Sequence, residues 1–390
     1  MNKTQLNPVQ KILSVFLLIF FVGFSANANA QLFETKAKQA YLIDAESGSI
    51  LFQKNADQLI PPASLAKLMT MEVVFHALST GELNLEDTFT ISENAWRRGG
   101  SNSGGSTMFA KLNSDVRLED LIRGVVIQSA NDACIAIAEG MAGSEQAFAG
   151  LMNERAKEIG LMHSTFRNST GLPDPAQKVT ARDLALLARH IQVTYPQYYG
   201  YYSEPEFTWN KIRQRNRNPL LPANLGADGM KTGHTEAAGY GIVGSAVQNG
   251  QRLILVLSGM ESKKQRRGES RKMMQWGFRA FKAISLFDKD EIVGEARLYG
   301  GIKSGVALKA KGPLKIFVPV GNRDRLRARI VYTGPILAPV EEGAKIARLQ
   351  VEIGGVLSQE TALYAAESVE TGSIRQRALD ALGELLLGWL

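Results

Sequence analysis

The apolar residues of this chain change their spacing near Asp288, and that change restricts its folds more than any other feature. Before it, helix and strand patterns are mixed. Ala40–Ile43 and Ile50–Phe52 read as strands, with Asp44, Ser47 and Gly48 supplying the turn between them. Pro61-Pro62 breaks the chain, and Ser64–Leu78 reads as a helix ending near Gly81. Leu121–Met141 and Thr180–Val193 read as helical. Gly239–Val247 and Leu253–Leu257 read as a hairpin, because Asn249-Gly250 suits the tight turn that matches strand twist. Arg271–Ile284 reads as a helix carrying Trp276 and Phe278. After Asp288, Leu326–Ile330 and Ala347–Ile353 alternate apolar with polar residues, the period of a half-buried strand. The expectation is α+β: a unit over 31–286 with an antiparallel sheet flanked by helices, then an all-β domain over 290–370. Residues 371–390 return to helix, with Ile374, Ala378, Ala381, Leu382, Leu385, Leu386 and Trp389 on one face and Arg377, Asp380 and Glu384 on the other.

The first thirty residues are of another kind. Lys3 and Lys11 precede the apolar run Ile12–Phe24, and small residues follow at Ala26, Ala28 and Ala30. That order is a secretory signal peptide over 1–30, and the run is shorter than the roughly 20 residues a membrane span needs. Removing it takes two lysines and no acids, which lowers the formal charge from +7 to +5. Mild basicity permits attraction to an anionic wall or membrane, but no stripe suggests nucleic acid. The one basic cluster, Lys263, Lys264, Arg266 and Arg267, is flanked by Glu261 and Glu269 and reads as a solvated helix start. Cys134 is the only cysteine, so the exported chain folds without an internal disulfide, and its apolar neighbours make it a small buried hydrophobe. Four histidines without metal-motif spacing give no reason to expect a metal.

Three short elements carry the chemistry. Ser64-Leu65-Ala66-Lys67 places a serine and a lysine three apart, on one face of a helix. Serine needs a base within reach, and a lysine serves when burial or a neighbouring cation lowers its pKa. Alone this pattern is weak. Lys231-Thr232-Gly233, just before the hairpin, is rarer: by composition such a tripeptide arises on the order of 0.1 times in a chain this long. Its lysine adds positive charge, and its glycine lets backbone approach a substrate. The third element is Ser129-Ala130-Asn131, polar between apolar runs. Ser92-Glu93-Asn94 competes with it, but sits in a polar stretch that reads as a helix cap.

In this order the three elements match the set found in penicillin-recognising serine enzymes. The chain resembles the low-molecular-weight penicillin-binding proteins that act as D-alanyl-D-alanine carboxypeptidases. Pro61–Thr70, Ser129–Cys134, Asn216–Asn218 and Asp228–Thr235 carry the likeness, and the β-domain and C-terminal helix fall where that family has them. It departs mildly at the glycine-rich loop Gly99–Gly105.

The resemblance implies a penicillin-binding/β-lactamase-like fold for the first unit and roles for named residues. Ser64 attacks the carbonyl between two terminal D-alanines and Lys67 takes its proton. The N–H groups of Ser64 and His234 form the oxyanion hole beside Gly233. Ser129 relays a proton to the leaving D-alanine, with Lys231 orienting it. Asn131 holds the substrate amide, and Thr232 and Arg217 bind the terminal carboxylate. It also implies peptidoglycan stem peptides and β-lactams as partners, no cofactor, and a periplasmic enzyme held on the inner membrane surface by its C-terminal helix. Glutamate is absent between Glu158 and Glu204, and only Asp174 and Asp183 are acids in the loop His163–Asp183. Penicillins are therefore expected to acylate Ser64 and leave slowly. A β-lactamase or endopeptidase of the same fold, and a catalytically silent wall-binding protein, remain as alternatives.

Overall fold

The computed structural model describes residues 33–320 and 326–387. The expected signal segment, Trp389 and Leu390 lie outside the described residues, as do the side chains of Leu382, Leu385 and Leu386.

The first unit is organised by a five-stranded antiparallel sheet. Its strand order is Ile50–Lys54, Gln39–Asp44, Gln251–Met260, Gly239–Gln248 and Ala227–Thr235. The expected hairpin joins the third and fourth strands, with Asn249 at φ 50° and Gly250 at φ 80°, as its tight turn requires. Side chains alternate between two covered faces. Tyr41, Ile43, Val243, Ile254 and Val256 join the large helical core. On the other face, Leu42 and Leu253 pack against Gly277 of the helix Lys263–Ala280. The strand Ala227–Thr235 lies at the sheet edge, so one side of its backbone is free for a substrate.

Two expected helices need correction. Leu121–Met141 is not continuous: helix Leu118–Arg123 passes through a π-turn at Gly124–Gln128, the chain breaks at Ser129, and helix Asn131–Ala142 starts afresh. The break falls on the Ser129-Ala130-Asn131 element, with Ser129 itself at φ 66°. The helix expected to end at Ile284 runs over Lys263–Ala280. Phe281–Phe287 is instead a strand paired with Leu314–Pro319, because Ile284, Leu286 and Phe287 find partners in the second core rather than the first. The basic cluster is also only partly solvated, since Arg266 is buried.

From Phe281 to Ala365 the regular elements among the described residues are all strands. A six-stranded sheet takes the order Leu326–Val331, Lys345–Ile353, Val356–Ala365, Gly305–Lys309, Ile292–Tyr299 and Ile336–Leu337. It has its own core, in which Leu298, Leu308, Ile316, Leu349 and Leu363 meet. The helix Ile374–Leu387 follows. Among the described residues no helix is long and apolar enough to cross a membrane.

Candidate active site

The chain turns from Pro62 into a 3-10 turn over Ala63–Ala66 and then into the helix Lys67–Thr80. Ser64 thus sits at the head of a buried helix. Lys67 lies one turn on and is fully buried. Its Nζ is 3.3 Å from Ser64 Oγ and 2.8 Å from Asn131 Oδ1, and it also donates to the Thr170 carbonyl. Burial pushes its pKa below the ordinary lysine value, and the Arg217 charge acts in the same sense. A neutral amine has two N–H donors and one lone pair. In that form Asn131 and Thr170 would take both donors and the lone pair would face Ser64 Oγ.

Ser129 occupies the break between two helices at φ 66°, ψ 33°, a left-handed conformation that costs a serine about 1–3 kcal/mol. Its Oγ is buried and, among the described residues, has no hydrogen-bond partner. Strain and an unsatisfied hydroxyl at one residue mark a place kept for something other than stability. Asn131 begins the next helix, and its backbone N–H donates to the Ser106 carbonyl, with N to O 2.7 Å. Ser92, the competing serine, caps its helix by accepting from Ala95 N at 2.9 Å.

Lys231, Thr232 and Gly233 stand on the edge strand, all buried, and His234 is exposed beyond them, its ring tilted 31° against Tyr240 with centroids 3.9 Å apart. Burial holds the Lys231 pKa well below its usual value, and the charges of Lys67 and Arg217 press it further. A Cβ added at Gly233 would lie 3.2 Å from Ser64 N, so glycine permits the strand to approach the nucleophile. Arg217 is exposed at the rim, and its Nη1 donates to Ser106 Oγ at 2.6 Å.

The structure therefore joins Ser64, Lys67 and Asn131 directly by hydrogen bonds, and brings the Lys231 strand against the same serine. Four contributors went unseen in the sequence. Thr170 acts through its carbonyl, which no side-chain pattern reveals. Ser106 links Arg217 to Asn131. Asp132 is buried and accepts from Thr107 Oγ1 at 2.6 Å, Met108 N at 3.0 Å and Ala110 N at 3.2 Å, bracing the loop that carries Ser106. An acid inside an apolar helix was the signal for it. Arg266 Nη1 reaches toward the Gly233 carbonyl at 3.5 Å, and its guanidinium lies over the Tyr240 ring, 5.6 Å from the centroid. The glycine-rich loop has a steric reason: a Cβ on Gly99 would meet Asp132 N at 2.2 Å, and one on Gly105 would meet Asn131 Nδ2 at 2.9 Å. Of the loop acids, Asp183 is buried and accepts from His163 N and Ser164 Oγ, while Asp174 accepts from Ala176 N.

Comparison with known proteins agrees with this geometry. The family described as D-alanyl-D-alanine carboxypeptidase matches residues 25–262, and that described as penicillin-binding protein 5, C-terminal domain, matches residues 281–371. The chain is 40% identical over 371 residues to D-alanyl-D-alanine carboxypeptidase DacC of Escherichia coli (strain K12), covering 94% of this chain and 93% of that one. It is 38% identical to DacA of Haemophilus influenzae, covering 90% of this chain and 91% of the relative. The crystal structure of penicillin binding protein 5 from Haemophilus influenzae superposes with a TM-score of 0.74 at 38% identity, over 87% of this chain and 98% of that one.

Proposed function

The chain belongs to the D-alanyl-D-alanine carboxypeptidase family, and from that premise we infer that Ser64 is its nucleophile and Lys67 the base that activates it. The activity is that of a serine-type peptidase acting on peptidoglycan stem peptides, and penicillins bind it. One observation carries the assignment of residues: a buried lysine amine whose two donors are taken by Asn131 and Thr170 and whose third direction is the Ser64 hydroxyl.

In the proposed sequence Ser64 Oγ bonds to the carbonyl carbon of the penultimate D-alanine as its proton passes to Lys67. Charge on the carbonyl oxygen is held by the N–H groups of Ser64 and His234. Such a donor is typically worth ~2.7–4 kcal/mol. The C–N bond then breaks, and the leaving D-alanine amine takes a proton through Ser129, oriented by Lys231. Arg217 and Thr232 hold its carboxylate, and Asn131 the substrate amide. Water then hydrolyses the ester. Lys67 is the one base in contact with Ser64 Oγ among the described residues, so the same amine serves both halves. Asp174 and Asp183 are occupied locally, which supports slow release of penicillins. Intact-mass measurement after exposure to benzylpenicillin tests this: one adduct is expected, mapping to Ser64. No adduct, or one on another residue, overturns the assignment.

The proposed location is the periplasm, on the outer face of the cytoplasmic membrane. The signal-like residues 1–30 support export. The C-terminal helix supports surface attachment: Asp380 Oδ2 accepts from Gly300 N at 2.8 Å, so the polar face meets the β-domain, whereas Ile374 is 77% exposed. Residues before Ala381 are part of the fold, because Thr371 bridges Gly301 and Gly372 N donates to Gly300 O. A chain ending at Ala381 is expected to leave the membrane fraction and keep its penicillin labelling. If it still sediments with membranes, the attachment lies elsewhere.

A further inference from the structure

We propose that Arg252 is a positioning residue for acylation: through Asp228 it holds a β-bulge that sets where Lys231 stands. The proposal rests on the roles of Ser64 and Lys231 given above. In the edge strand Ala227–Thr235, Ala227 pairs with Ala246 and Gly229 with Ser245, so Asp228 is one residue more than the neighbouring strand supplies. Beyond it the pairing is regular, with Lys231 against Val243 and Gly233 against Gly241. A slip of one residue turns every following side chain to the opposite face, and a bulge is such a slip built into the strand. The bulge therefore decides that Lys231 enters the buried site and that Gly233 meets Ser64.

The grip on the bulge comes from two strands away. Arg252 lies on Gln251–Met260, one strand beyond the bulge's own partner. Its Nη1 donates to Asp228 Oδ2 at 2.7 Å, to Asp228 Oδ1 at 2.9 Å and to Ser245 Oγ at 2.6 Å. One guanidinium thus holds the extra residue on one strand and, on the next, the residue that pairs with Gly229. Tyr199 closes the other side. Its hydroxyl donates to Asp228 Oδ1 at 3.2 Å, and the Arg252 guanidinium lies 5.3 Å from its ring centroid. A Cβ on Gly229 would meet that hydroxyl oxygen at 2.6 Å, so glycine lets Tyr199 seat against the bulge. Tyr199 and Ser245 are buried, and the side chains of Arg252 and Asp228 are mostly so.

An ion pair that only stabilised the sheet could join any two facing residues. This one takes hold of the residue that the register leaves over, three positions before Lys231. Its effect on the chemistry passes along the strand.

The test measures the limiting rate constant for Ser64 acylation by benzylpenicillin, per site labelled at saturation, so that loss of folded protein alone does not register. Arg252→Met removes the guanidinium and keeps an apolar stem. Asp228→Asn keeps the shape of the carboxylate without its charge. Each should slow acylation about 10- to 100-fold, the cost of a displacement on the order of 1 Å, and Arg252→Lys should recover part of the loss. In a Lys231→Ala background, Arg252→Met should add less than about two-fold, because the group it places is gone. Unchanged rate constants in both single variants, or the full further loss in the Lys231→Ala background, overturn the clamp. If Arg252→Met leaves no labelled sites, Asp228→Asn and Arg252→Lys decide by the same criterion. Lys231→Ala acylating at the native rate, or no Ser64 adduct in the native chain, overturns the assignment beneath the clamp instead.

Discussion

The central sheet and the C-terminal sheet use similar residues and put them to different ends. Gly239–Gln248 and Gln251–Met260 each bury six consecutive residues, because both faces are covered. Lys345–Ile353 buries Ala347, Leu349 and Val351 and turns Arg348 to water. Where both faces are covered, a polar motif carried in from the edge is held in dry surroundings, and Lys67 and Lys231 lose their ordinary lysine pKa there. Where one face is wet, charges stay solvated and form ion pairs such as Arg348 with Glu360 at 3.2 Å. Such exposed pairs contribute about 0–1 kcal/mol. A cation is buried with a lowered pKa in one region and paired at a wet surface in the other.

The largest expected effect tests the dry region. Lys67→Ala should slow acylation about 10²–10⁴-fold, the usual worth of a general base. Lys67→Arg should not restore it, since a guanidinium keeps its proton. In the native chain the base must be neutral, so acylation should fall as pH drops through the Lys67 pKa, with a midpoint below the ordinary lysine value of 10.5. A midpoint at that ordinary value, read from rate constants across pH, breaks the contrast between the two regions.

The next effect tests their independence. Leu349→Ala should cost about 2–5 kcal/mol in the β-domain core. Calorimetry should show a lower transition for residues beyond Phe281, while Ser64 labelling at room temperature persists. Loss of labelling would show that the two cores fold as one. The smallest effect lies at the rim. Arg217→Ala should lower D-Ala-D-Ala turnover roughly 10- to 100-fold, the worth of one charge-assisted hydrogen bond, and change acylation by an uncharged ester far less. Equal losses on both substrates would return Arg217 to the surface role its exposure allows.

Much of this was legible in the chain itself. The hairpin at Asn249-Gly250, the strands around Leu349 and the three motif elements all depend on local spacing. Helix ends were less legible. Phe281–Ile284 has helical spacing, yet the second core captures it as a strand. Ser129 lies inside an apolar run that reads as one helix, and only its packing breaks that helix in two. Arg266 reads as one of four surface cations, but its helix turns it inward beneath Tyr240.

The sequence alone determined which groups are available: a nucleophile, two lysines, a polar pair between apolar runs, and glycines where chains must touch. Tertiary structure decided what each group is. Lys67 is suited to the proposed role of base because the Thr170 carbonyl, 103 residues later, and Asn131 Oδ1, 64 residues later, both accept hydrogen bonds from its amine. Burial then removes the water that keeps an ordinary lysine charged. Hydrogen bonds between such distant positions, and the loss of solvent around them, exist only once the chain has packed.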